Sequence, residues 1–144
     1  MPRHSNSFSR KPFKLSKTEI AFLHEVTCRV DEYDQPRGLT VCEQKFTCIC
    51  RRAQVYHCKA RGLVIKRPNF ILNPRTPLKV RVPTIVIRED RNAMGDWVAQ
   101  PFVLKHDKKL AKERIIKMLG TDVGYDIHAY NVGWYQGKPV MFDW

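Results

Sequence analysis

The sequence predicts a small single α+β domain, with an N-terminal helical part and a C-terminal helix followed by a β-hairpin. Three observations predict it. The 144 residues are 43% hydrophobic, enough for one core and ordinary for a globular chain. Apolar residues recur at helical spacing in residues 17–30 and 106–119. The segments 78–87, 97–104 and 125–144 are instead β-branched or aromatic and bounded by turn residues.

In chain order, residues 1–14 are polar and basic, and read as a flexible arm. Ser16 with Glu19 three residues on forms a capping box, and Ile20, Phe22, Leu23, Val26 and Val30 continue a helix over 17–30. The turn 34–38 (DQPRG) ends it. Residues 40–62 read two ways. Thr40 with Glu43 is a second capping box, and Val41, Lys45, Cys48 and Arg52 lie about a turn apart. Phe46, Cys48 and Cys50 also alternate as in a strand. Gly62, between CKAR and LVI, reads as a helix C-cap entering a strand and tips the expectation to two short helices. Four prolines exclude a regular helix from 67–83. LKVRVPTIVI (78–87) reads as a strand, 92–95 as a turn and 97–104 as a second strand. Asp107 and Gly120 bracket a helix over 106–119, and Gln136–Gly137–Lys138 turns a final hairpin. The expected organisation is an arm (1–14), a basic nucleic-acid-binding part (15–88) and a strand–helix–hairpin module (89–144), packed as one domain.

The charge is unevenly placed. The formal net charge is +12, yet residues 1–43 sum to +1 and 89–144 to zero. Residues 44–88 hold eleven Lys and Arg and no Asp or Glu. An acid-free basic segment implies a surface that meets a polyanion, and nucleic acid rewards each cation through counterion release. No apolar run reaches the roughly 20 residues of a membrane span, and no secretory h-region is visible. The expected location is cytoplasmic, nucleoid or nuclear, not secreted, with no membrane partner. Cys28, Cys42, Cys48, Cys50 and Cys58 then read as reduced thiols.

Three stretches share a pattern: LSKTEIAFL (15–23), LTVCEQKF (39–46) and ARGLVIKR (60–67). They resemble the scaffold helix, the positioning helix and the recognition-helix exit into the wing of winged helix-turn-helix DNA-binding regulators. The resemblance covers residues 15–67. Val55 lies only seven residues before Gly62, which is a turn short of the family's pattern. The resemblance implies that Arg51, Arg52, Gln54, Lys59 and Arg61 lie on or beside a recognition helix, with Tyr56 and His57 among them. Arg51 and Arg52 would reach guanine or phosphate, and Gln54 adenine. Lys66, Arg67 and Arg75 would be wing or flank contacts to phosphate. Replacing Arg51 and Arg52 by Ala is then expected to weaken binding without unfolding the domain.

Other constellations are weaker. Cys42, Cys48, Cys50, His57 and Cys58 have zinc-ligand chemistry, but their spacing contains no CxxC, so buried thiols are the simpler reading. His24 reads as structural rather than as a ligand. Asp122, Asp126, Asp143 and His128 would suit a metal-dependent nuclease but fit turns equally well. Nucleotide and hydrolase signatures are absent. The aromatic, nearly neutral hairpin reads as core, or as the surface for a second copy or a protein partner. Lys105–Lys117 is basic, with an apolar stripe that packs on the core. The expected protein is therefore a non-enzymatic nucleic-acid binder without cofactor or metal, a DNA-binding transcription regulator using 44–88. The alternatives are a structural component of a ribonucleoprotein or virion, with RNA as partner, and a small nuclease.

Overall fold

Helix α1 (Lys17–Tyr33) begins at the expected capping box. The Glu19 amide donates to Ser16 Oγ and the Ser16 amide to Glu19 Oε1, both at 3.1 Å. Two amides that a helix start leaves unpaired are thus satisfied. Leu23, Val26 and Val30 are buried on one stripe. Full burial of such side chains contributes about 1.5–3 kcal/mol each. The computed structural model describes residues 12–33, 37–50, 54–67, 80–90, 95–119 and 131–144. Residues 1–11 of the expected arm lie outside these.

Beneath α1 lies an antiparallel sheet of six strands in the order β1-β2-β3-β4-β6-β5. They are β1 (Gly38–Val41), β2 (Gln44–Cys50), β3 (Val55–Cys58), β4 (Leu63–Lys66), β5 (Ile85–Arg88) and β6 (Trp97–Pro101). The two short helices expected over 40–62 are a correction: the described residues there are strands and a single 3-10 turn, Lys59–Arg61. The apparent capping box at Thr40–Glu43 is a hairpin. Val41 pairs with Gln44, and the two turn residues, Cys42 and Glu43, have φ of 49° and 66°. Two successive positive φ values match the twist of the flanking strands. The positioning and recognition helices implied by the winged-helix resemblance therefore have no helical counterpart in described residues 38–58. Gly62 does close a helical turn in the left-handed region, with its amide on the Lys59 carbonyl.

The sheet is covered on both faces. Phe46, Tyr56, Leu63, Ile65, Trp97 and Ala99 face α1. Val55 and Val64 meet a second hairpin, β7 (Asn131–Tyr135) and β8 (Lys138–Phe142), through Val140, Phe142 and Trp144. The hairpin turns at Gln136–Gly137 as expected, again with two positive φ values. Its other face, with Val132, Trp134 and Met141, packs on Ala111 and Ile115 of α2 (Lys108–Leu119). Trp134, Phe142 and Trp144 are buried core residues, as the packed-hairpin reading expects. No described helix is long and apolar enough to cross a membrane.

Candidate nucleic-acid interface

Folding pairs four cations of the acid-free segment, Arg61, Lys66, Arg67 and Arg88, with acids from outside it. The Lys66 side chain has 0% exposure, and its Nζ donates to both carboxylate oxygens of Asp143 at 2.7 Å. Arg67 is buried against Asp31, and Asp90 lies 3.7 Å from its guanidinium. Its Nε donates to Gln54 Oε1 at 2.9 Å, and its guanidinium lies over the Trp97 ring. Arg88 takes the other oxygen of Asp31 and donates to Thr27 Oγ1. Arg61 lies over the Phe22 ring and bonds Gln44 and Glu19. In a low-dielectric interior such pairing is what makes a buried charge tolerable.

The sequence-derived site is redistributed accordingly. Lys66 and Arg67 are interior ion-pair partners rather than flank contacts to phosphate, and Gln54 and Arg61 are engaged within the fold. Lys59 is exposed. Arg51, Arg52 and Arg75 lie outside the described residues. Among the described residues no three His, Cys, Asp or Glu side chains gather as for a metal ion. A bulge between Cys48 and Cys50 sends the first toward α1 and the second to the opposite face. Cys42 sits in the exposed turn, so these thiols do not converge.

A different set of groups forms a continuous stripe. His57 on β3 stacks on Phe102 with ring centroids 3.9 Å apart and planes 17° apart. Phe102 in turn meets Trp144 at 5.6 Å. Lys105 Nζ lies 4.8 Å from the Trp144 centroid and 5.4 Å from that of Phe142. Exposed Lys59 and Lys108 continue the stripe beyond His57 and Lys105, and both act electrostatically on their neighbours. Burial first, then Lys59, lowers the His57 pKa and favours the neutral imidazole. Burial, then Lys108, lowers that of Lys105, while Cys50 acts in the opposite sense.

The fold explains why these side chains meet. His57 pairs with Thr47 and Val64 across the sheet, on the face opposite α1. The chain leaves β6 at Pro101 with the Phe102 amide on the Gly62 carbonyl, which sets Phe102 beside the end of β3. Leu104 then exchanges two backbone hydrogen bonds with Trp134, and this fixes Lys105 over the C-terminal rings. Lys105, Lys108 and Phe102 were not among the sequence-derived site residues. The basic run from Lys105 to Lys117 was the signal that could have found the two lysines. No family model matches the chain, and no curated protein or solved structure matches it.

Proposed function

We propose that this chain is a nucleic-acid-binding protein and that the stripe Lys59–His57–Phe102–Lys105–Lys108 is its interface. The observation that carries the proposal is where the acids go. Asp31, Asp90 and Asp143 are drawn into pairs with Arg67, Arg88 and Lys66. The +12 charge is therefore displayed by other cations, including those on and beside α2, a part of the chain whose own sequence sums to zero. Phosphate neutralisation by such cations drives affinity, and rings set among them favour bases.

The duplex preference expected from a recognition helix has no helix behind it among the described residues of 38–58. Half-buried rings flanked by lysines suit the unstacked bases of a single strand better than a duplex groove. Single-stranded RNA or DNA is accordingly the favoured partner, and a role in transcription regulation or in a ribonucleoprotein would use the same surface.

The test is fluorescence anisotropy with labelled single-stranded RNA, single-stranded DNA and duplex DNA, each titrated at several salt concentrations. Binding that favours single strands and weakens steeply with salt is expected. Absence of binding to all three at low salt would overturn the proposal, and a duplex preference would return the reading to a DNA regulator.

A further inference from the structure

Two metal-ligating side chains meet on the outer face of α1, far in function from the stripe. His24 and Cys28 are four residues apart, so the helix sets them one above the other. Cys28 Sγ lies 3.7 Å from His24 Nδ1. His24 is exposed and Cys28 half-buried. Two neighbouring carboxylates are already engaged elsewhere. Glu25 pairs with Arg29, and Asp31 with Arg67 and Arg88.

We propose that His24 and Cys28 form a two-ligand chelate for a thiophilic divalent cation such as Zn²⁺. Zinc bonds of about 2.3 Å to sulfur and about 2.0 Å to nitrogen, at a tetrahedral angle, put the two ligand atoms roughly 3.5 Å apart. The observed 3.7 Å therefore matches the edge of such a site with the side chains where they stand. The ion replaces the thiol proton, which leaves to solvent, and the imidazole binds through neutral Nδ1. No third His, Cys, Asp or Glu joins them among the described residues, so water completes the coordination. Without metal, the same pair is a thiol–imidazole hydrogen bond.

Position on α1 makes the chelate independent of the nucleic-acid reading. The experiment uses the full reduced chain and reads Cys28 itself. Alkylation of each cysteine by iodoacetamide is followed by peptide mass spectrometry, with and without Zn²⁺, alongside a Co²⁺ titration read by its thiolate charge-transfer absorption. Zn²⁺ is expected to slow alkylation of Cys28, and His24→Ala to weaken that protection by about tenfold or more, since even outer-sphere partners of a metal site are worth that much. Cys28→Ser should remove the part of the cobalt absorption that His24→Ala weakens. Both sites are on the helix surface, so retained helicity by circular dichroism confirms folded variants. Unprotected Cys28 in wild type, or equal protection in His24→Ala, would overturn the proposal and leave a hydrogen bond only.

Discussion

The Lys66 ammonium and the Asp143 carboxylate meet at 2.7 Å across seventy-seven positions of chain, and Lys66 has no exposed surface. β4 contributes the cation and the residue after β8 the anion, so the pair ties the last strand to the middle of the main sheet. Removing either partner alone strands the other's charge, whereas replacing both by well-packed apolar side chains does not. Asp143→Ala alone is therefore expected to cost about 3–5 kcal/mol, and the double variant Lys66→Met with Asp143→Leu to be near neutral or stabilising by about 1–4 kcal/mol. Urea denaturation of the two variants checks this. Equal losses in both would mean that the pair's geometry, not its unpaired charge, sets the cost.

Gly133→Ala is expected to destabilise by about 1–3 kcal/mol, as overpacked cores do. A Cβ at this position would sit 2.6 Å from the Leu104 carbonyl oxygen and against Val103 and the Phe142 ring. The Leu104 carbonyl is held in place because it accepts from the Trp134 amide at 2.9 Å. The backbone has nowhere to yield without giving up that bridge. A melting temperature lowered by several degrees, roughly 2–8 °C for a chain this size, is the readout, and an unshifted value would contradict the close approach.

What the sequence made legible is what short-range chemistry encodes. Ser16 and Glu19 announced α1, Gln136–Gly137 announced the last turn, and Gly62 announced a left-handed stop. The β1–β2 turn was misread because Cys42 and Glu43 take positive φ without the Asn or Gly that usually signals it. Thr40 and Glu43 then mimicked a cap. The alternation of Phe46, Cys48 and Cys50 did signal β2, but Gly62, read as the C-cap of a full helix rather than of a 3-10 turn, outweighed it. The site was less legible for a different reason. Whether Lys66 and Arg67 meet phosphate or Asp143 and Asp31 depends on contacts 77 and 36 residues away, which no local pattern carries.

Stability should fall faster than ordinary acid sensitivity predicts as pH drops through 6.5, and His57 is the cause. Its pKa is lowered in the folded chain from 6.5, by burial and then by Lys59. Between the lowered value and 6.5 the unfolded chain binds a proton that the folded chain refuses, so stability rises with pH in that window and is lost as pH falls through it. His57→Gln should flatten this part of the curve while leaving the carboxylate-driven loss at lower pH. Urea midpoints of both proteins across the window measure the difference, and parallel curves would remove His57 from the account.

Charge reversal separates cations that face solvent from those that face acids. Lys59→Glu with Lys105→Glu changes two exposed lysines on either side of His57 and Phe102. If each meets one phosphate of a single strand, the pair should flatten the slope of log affinity against log salt by about 1.4, since each phosphate contributes roughly 0.7. Stability should barely change at Lys59, which makes no buried contact. At Lys105 some loss is expected, because its stem and ammonium cover the Phe142 and Trp144 rings. Phe102→Ala should lower affinity at every salt concentration without changing the slope, because a stacked base carries no counterion. Lys66→Met with Asp143→Leu supplies the contrast: it deletes a cation of the acid-free segment together with its acid, yet both affinity and slope should match the wild type, because Asp143 already neutralises Lys66. A slope that changed in the Lys66–Asp143 double variant but not in the Lys59–Lys105 variant would move the interface off the stripe and back to the middle of the chain.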